Sequence, residues 1–292
     1  MYKLRLTLIA SLLGLLATSV LSCGDSEAVV LAQADSYFER ALSLKDQGLY
    51  KESVSSLSET IRLNPNHADA YHQLGTIYNI LGDYDQAIVD YNEAIRLNPD
   101  FSNTYADRGI AYNKLNLPTE AVKDYDQAIK LDPDNPDLFM ARGSTYAVIG
   151  KYHQAIEDYD DAIRLDAENS ILYAARGNAF AELGNFRRAV KEYRVAILLD
   201  PENTKLIVDR ASAFASIGDI GEALRHIAQA IQLDPDNPDL YAQTAAAFGE
   251  IGEHRLAVLH FTKAIERSPA DPVLYSDRAN AHANLGSYLQ AI

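Results

Sequence analysis

The chain has 292 residues, with 26 Lys and Arg against 41 Asp and Glu, a formal net charge of −15. That balance argues against phosphate-backbone binding, which needs clustered cations, and against electrostatic adsorption to anionic lipid. A 48% hydrophobic share belongs to a folded chain, and a single cysteine excludes an intrachain disulfide and a cysteine-built zinc site.

The chain opens MYKLRLTLIASLLGLLATSVLSC. Lys3 and Arg5 supply a short positive segment, and residues 6–21 form a mostly apolar stretch, shorter than the roughly 20 residues of a membrane-spanning helix. This is the pattern of a secretory leader. The only cysteine follows Val20, Leu21 and Ser22. The arrangement resembles the leader of bacterial lipoproteins, in which cleavage leaves a lipidated N-terminal cysteine. The resemblance implies a signal peptide over 1–22, a lipid on Cys23 and a short tether over 23–33. Gly24, rather than an aspartate, directly after the cysteine allows an outer-membrane destination in a Gram-negative cell. The implied location is the cell envelope, after export, with membrane contact through the lipid alone. An ordinary signal peptide or an uncleaved anchor is the alternative.

From residue 34 onward a 34-residue period organises the chain: Pro65, Pro99, Pro133, Pro201, Pro235 and Pro269 recur at that spacing or twice it. With Pro as position 32, repeats begin at 34, 68, 102, 136, 170, 204, 238 and 272. Gly48, Gly82, Gly150, Gly184, Gly218, Gly252 and Gly286 then fall at position 15, and alanines recur at 20 and 27. Positions 4, 7, 8 and 11 share one helical face, as do 20, 24, 27 and 28, so each repeat is read as two amphipathic helices, A and B. Glycine at 15 suits a left-handed cap, with Asn116 the next-best residue in repeat 3. Asn-Pro at 135–136 and 237–238 is a helix start. Seventeen of the 18 tyrosines sit at positions 4, 11, 17 or 24, which makes them packing residues rather than a stacking platform.

Repeat 2 shows the motif nearly complete: Tyr71, Leu74, Gly75, Tyr78, Gly82, Tyr84, Ala87, Tyr91, Ala94, Pro99. It resembles the tetratricopeptide repeat, and the resemblance covers 34–292, with repeat 1 weakest (Ala41 for Gly, Thr60 for Ala). The implied fold is all-α, a right-handed superhelical solenoid of about seven and a half helix–turn–helix units whose A helices line a concave groove. The last repeat stops at position 21, without a polar cap, so a truncated sequence is expected, with further repeats or another domain beyond residue 292.

Arginine at position 7 (Arg108, Arg142, Arg176, Arg210) and an acid at 23 (Asp90, Asp124, Asp158, Glu192) form four matched pairs if each arginine meets the acid of the preceding repeat. Pairing inside one repeat leaves Asp90 facing Leu74 and Arg210 facing His226. Contacts between repeats are therefore expected.

Positions 2, 5, 6, 9, 12 and 13 are expected to face the groove. The candidate lining is His72, Gln73, Thr76, Asn79, Asp107, Ile110, Asn113, Ser144, Asn178, Asp209, Ser212, Asp277 and Asn280, with Lys45, Lys114 and Lys205 as its cations. The carboxylate clamp of co-chaperone relatives is absent: its positions hold Phe38, Leu42, Gln73, Asn103 and Asp107. The asparagine ladder of a glycosyltransferase relative is absent too. An acidic-to-neutral lining suits a neutral or basic peptide segment. The competing reading is that Asp69, Asp137 and Asp239 complement helix N-termini, and for Asp107, Asp209 and Asp277 both readings stay open.

The seven histidines are scattered without metal-binding spacing, no phosphate loop occurs, and no nucleophile–histidine–acid arrangement has a credible context. No catalytic residue, metal or cofactor is expected. The reading is a non-enzymatic, lipid-anchored scaffold or adaptor that binds proteins or peptides. The alternative is the substrate-recruiting region of a larger enzyme or transport component whose other domain lies beyond residue 292.

Overall fold

The computed structural model describes residues 27–287, so Cys23 and the leader lie outside the described residues. Described residues form helices and turns with no strand. Helix α1 covers 27–46, followed by α2 (Tyr50–Leu63), α3 (Ala68–Leu81), α4 (Tyr84–Leu97), α5 (Ser102–Lys114), α6 (Pro118–Leu131), α7 (Pro136–Val148) and α8 (Tyr152–Leu165). Then come α9 (Ser170–Glu182), α10 (Phe186–Leu199), α11 (Thr204–Ser216), α12 (Ile220–Leu233), α13 (Pro238–Glu250), α14 (His254–Arg267) and α15 (Pro272–Asn284). From α3 on, every odd-numbered helix begins at the first residue of a repeat. The segment read as a tether is helical from residue 27 and runs unbroken into repeat 1.

The chain divides into two compact units, one ending at Pro133 and one beginning at Asp134. Inside each, helix A packs on its own helix B, helix B packs on the next helix A, and successive A helices touch as well. The contacts between A helices (α3 with α5; α7 with α9; α11 with α13; α13 with α15) have no equal between B helices, so each unit curves with its A helices inside. The fold is an all-α repeat solenoid.

The caps follow the sequence. All seven position-15 glycines have φ between 71° and 85°, and Asn116 is the one non-glycine with positive φ among the described residues, at 59°. Asn135 accepts from the Asp137 N–H at 3.1 Å and Asn237 from that of Asp239 at 3.0 Å, each followed by Pro at the first helical position.

Positions 20 and 27 are fully buried alanines from repeat 2 to repeat 7. Repeat 1 has Ser53 and Thr60 there. Both are buried, and their hydroxyls donate to the backbone carbonyls of Ala41 and Ser56 at 2.7 and 3.1 Å, so no polar group is stranded. Apolar clusters cross the junctions: Ala41 and Leu57 of repeat 1 pack with Ala70, Leu74 and Ile77 of repeat 2. A single helix pair would leave that face in water.

The tightest contact inside a repeat is between positions 8 and 24. A Cβ on Gly75 would lie 2.7 Å from Cε1 of Tyr91, and one on Gly109, Gly143 or Gly177 would lie 3.0, 2.9 or 2.9 Å from the ring of Tyr125, Tyr159 or Tyr193. Where position 8 is alanine, position 24 is never tyrosine: Ala41 stands with Leu57, Ala211 with Ile227 and Ala245 with Phe261. The two positions share one space, filled either by a tyrosine ring over bare backbone or by a methyl under another side chain.

The arginine pairs run differently from the expectation. Arg108 donates from Nε and Nη2 to Asp124 at 2.8 and 2.6 Å, Arg142 reaches Asp158 at 2.6 Å, and Arg176 reaches Glu192 at 2.5 Å. Each pair lies inside one repeat, because antiparallel helices A and B set position 7 opposite position 23. The preceding repeat supplies its position 25 instead: Nη1 of Arg108 donates to Asn92 and Nη1 of Arg176 to Asp160, both at 2.5 Å. Asp124 and Asp158 are buried, so these are not the exposed pairs worth about 0–1 kcal/mol. Removing one partner of a buried pair costs about 3–5 kcal/mol. The two mismatches are real. Asp90 is buried opposite Leu74 with a hydrogen bond from Gln86 at 3.2 Å, and Arg210 faces His226. Burial pushes the Asp90 carboxyl up to about 6.

Two predictions follow from these contacts. Gly75→Ala destabilises by about 1–3 kcal/mol through overpacking, despite alanine's better helix propensity, and adding Tyr91→Ile recovers part of the loss in urea denaturation. No coupling between the two changes would contradict the shared-space account. Asp90 in the fold holds its proton more tightly than in the unfolded chain, so it subtracts stability as pH rises from about 4 through about 6. Asp90→Asn therefore stabilises by about 1–3 kcal/mol at pH 8 and by almost nothing below pH 4. A pH-independent gain rules out charge burial as its cause.

Candidate functional site

In the second unit three concavities open along the A helices. One of about 350 Å³ lies between α13 and α15 and is lined by Ala246, Glu250, His254, Phe261, Asp277 and Asn280, among others. One of about 270 Å³ includes Glu182, Phe186, Tyr193, Asp209, Ser212 and Ser216. A third, of about 290 Å³, includes Lys205, Asp209, Ser212, Gln243 and Ala246, and Glu250 lines all three. The helix-A contributors are largely positions 6, 9 and 13, a stripe at i, i+3 and i+7.

Four carboxylates project into this stripe, Glu182, Asp209, Glu250 and Asp277, against one ammonium, Lys205, which Asp209 holds at 2.7 Å. Burial, with the charges of Asp209 and Glu182, pushes the Tyr193 hydroxyl above its ordinary range. Of the sequence candidates, Asp209, Ser212, Asp277 and Asn280 lie on this surface. Glu182 and Glu250 were not among the candidates. Their signal was an acid at position 13 recurring two repeats apart.

Other candidates serve the packing or stand apart from these concavities. The Tyr193 hydroxyl donates to Asn178 at 2.7 Å, while Ser144 and Asn113 lie 3.4 Å from the hydroxyls of Tyr159 and Tyr125. These three assist the position-24 rings. Ile110 is exposed, Gln73 accepts from Lys45 Nζ at 2.6 Å, and Thr76 donates to its own helix. Asn79 keeps a buried Oδ1 without a hydrogen-bond partner.

His72 and Asp107 belong to a trio in the first unit in which His72 and Thr104 are buried and Asp107 is half-buried. His72 Nδ1 lies 3.0 Å from Thr104 Oγ1, and its Nε2 lies 3.6 Å from Asp107 Oδ2. Hydroxyl, imidazole and carboxylate stand in the order used for nucleophilic catalysis, across a 32-residue separation that sequence inspection passed over. Burial decides against chemistry here. Thr104 is fully buried, so no substrate reaches Oγ1, and burial pulls the imidazole down to about 4, too weak a base to activate a hydroxyl near neutral pH. Asp107, pushed up to about 6 by burial, is part of the same packed cluster. His226 and His260 are also buried, stacked on Phe214 and packed by Phe248 and Tyr241. Among the described residues no three His, Cys, Asp or Glu side chains converge as a metal site.

Models of the tetratricopeptide repeat match residues 34–67, 68–101, 102–135, 124–157, 174–238 and 208–272, and a TPR repeat model matches 148–184. Together they run unbroken from 34 to 272. The chain is a tetratricopeptide repeat protein.

Several solved tetratricopeptide repeat structures share the fold. One, from Parabacteroides merdae, is 19% identical, with a TM-score of 0.65 over 86% of this chain and 99% of that one. The C-terminal part of a TPR repeat-containing protein from Cytophaga hutchinsonii is 18% identical, with a TM-score of 0.69 over 82% of this chain and 98% of that one. YrrB, described as a TPR protein with an unusual peptide-binding site, is 19% identical, with a TM-score of 0.55 over 62% of this chain and 93% of that one. At these identities the likeness concerns the fold alone. None of the curated proteins compared with the chain matches it in sequence.

Proposed function

We propose that this tetratricopeptide repeat protein is a non-enzymatic scaffold that binds a neutral or basic peptide segment of a partner protein along the A helices of its second unit, and that it works at the cell envelope. The acidic stripe carries the first part of the reading. Glu250 borders all three concavities, and the two carboxylates beside it, Asp209 and Asp277, leave Lys205 the one ammonium on that surface. A lysine or arginine entering here meets carboxylates on low-dielectric walls, where the attraction is stronger than in open water. The concavities are shallow and polar-edged, which suits an extended peptide with side chains seated in turn better than one enclosed small molecule. The peptide-binding site reported for YrrB, which shares the fold, supports a peptide as the ligand class.

The envelope location rests on the leader: Lys3, Arg5, the apolar stretch after them and Cys23 at its end. Multiple acyl chains on that cysteine would anchor stably, each buried CH₂ contributing about 0.8 kcal/mol. Among the described residues no helix is long and apolar enough to cross a membrane.

Affinity capture from cross-linked envelopes, read by mass spectrometry, tests the groove. A partner captured by the wild-type protein is lost with Glu250→Lys/Asp277→Lys and weakened by added salt; retention by that variant overturns the acidic-groove reading. Cys23→Ser moves the protein from the membrane fraction to the soluble fraction. A variant that stays with the membrane contradicts the lipid anchor.

A further inference from the structure

The arginine ladder breaks at repeat 6, inside the second unit. In Arg108 and Arg176 the inner fork, Nε and Nη2, holds a carboxylate from position 23, and the outer Nη1 holds a polar or acidic side chain from position 25 of the preceding repeat. For Arg210 the inner place is His226 and the outer place is Arg194. Its Nε is buried and makes no hydrogen bond, and neither ring nitrogen of His226 makes one. The guanidinium rests 5.3 Å from the Phe214 ring, on which His226 stacks at 5.4 Å. Burial and the charges of Arg194 and Arg225 all oppose its protonated state. Arg225 is held by Glu222, whose carboxylate is 3.8 Å from His226.

The mismatch continues onto a stripe of like charge. Helix α10 exposes Arg187, Arg188, Lys191 and Arg194, with Glu192 its one acid and that acid committed to Arg176. Residues 187, 191 and 194 are spaced i, i+4 and i+7 and share a face. Among the described residues no carboxylate forms an ion pair with them. The neighbouring α8 carries the opposite balance, Glu157, Asp158, Asp160 and Asp161 against Arg164. On a chain of net charge −15 this exposed face is locally basic and complements an acidic ligand.

We infer that the exposed face of α10, together with Arg210, is a docking site for an acidic peptide segment of a partner protein, one of whose carboxylates sits between Arg194 and the outer edge of Arg210. That carboxylate takes the place Asp160 occupies beside Arg176, one repeat earlier. The chain's own rungs decide the ligand class: the corresponding arginines are built around planar carboxylates, which a guanidinium grips with parallel hydrogen bonds. Further acidic residues of the segment lie along Lys191 and Arg187. The site joins the exposed face of α10, a helix B, to Arg210 on α11, and shares no residue with the acidic groove.

Fluorescence anisotropy with a labelled hexaglutamate peptide at low salt tests this. The wild-type protein binds the peptide. Arg194→Asp, which fills the outer place as Asp160 does, lowers the affinity at least tenfold, and His226→Asp, which neutralises Arg210 from inside, lowers it at least threefold. Both variants keep or raise the melting temperature, so unfolding is not the cause. Arg62→Asp makes the same charge change at an exposed site in the first unit and leaves binding intact, as does Glu250→Lys/Asp277→Lys. Absence of wild-type binding, or equal weakening by Arg62→Asp, overturns the proposal. So does binding of a single-stranded oligonucleotide or of phosphatidylglycerol vesicles through Arg194 while hexaglutamate fails.

Discussion

Each repeat is held by the approach of position 8 on helix A to position 24 on helix B, where a ring in repeats 2–5 lies so near the backbone that a methyl group would not fit. The distance between the two helices is set there, and much else depends on it. Position 7, one residue away, can reach position 23 only because the helices are this close, and the alanines at 20 and 27 vanish into the same contact. Since no pair covers its own outer face, the pairs stack, and the stacking leaves the A helices inside the curve. The groove is thus a by-product of a close-packing rule. Its width follows from residues that never touch a partner.

Buried charge adds a second layer. A guanidinium and a carboxylate removed from water are tolerable as a pair and expensive singly. Repeats 3, 4 and 5 hold complete pairs, and Arg108 and Arg176 also bond a side chain of the repeat before them, so these rungs tie neighbouring repeats more specifically than apolar packing alone would. Asp90 and Arg210 are the two places where half a pair is kept. They differ in consequence. Asp90 is shut away, and its excess cost can be relieved only by a proton. Arg210 keeps an edge near solvent beside other cations, so an outside anion can relieve it.

The period, the first residue of each A helix from repeat 2 on, the left-handed caps and the packing role of the tyrosines were legible in the sequence, because each follows from local chemistry: glycine or asparagine where φ is positive, proline at a first turn, small residues where backbones meet. The direction of the arginine pairs was not. Separations of 16 and 18 residues are both one helix away, and choosing between them by counting satisfied partners presumed that every buried charge finds one. Asp90 and Arg210 show that presumption failing, and the decision lay in the antiparallel geometry of the two helices. The groove was read by helical position alone, which placed Asp209, Ser212, Asp277 and Asn280 on the concave surface and His72 under it. Position 5 leans toward the next repeat, whose Thr104 closes over the ring together with Phe101 at the end of its own repeat. That inclination is a property of stacking, and one repeat read by itself does not contain it.

A repeat protein whose core is so uniform can express specificity only through residues the core does not claim, and in this chain those residues are sorted by sign. Carboxylates recur at positions 6 and 13 on A helices of the second unit, while four exposed cations, Arg187, Arg188, Lys191 and Arg194, sit together on one B helix of the same unit. In a protein of mixed surface charge such sorting would be unremarked. Against a net charge of −15 it has an electrostatic cost, because like charges held together on each face repel. Folding does not require either cluster: other repeats of the same chain hold neutral or opposite residues at the same positions and form the same helices. What the two faces do alter is which chains can approach, a basic segment on one side and an acidic one on the other. A scaffold that discriminates by charge at two separate surfaces can join two dissimilar partners without either competing for the other's place.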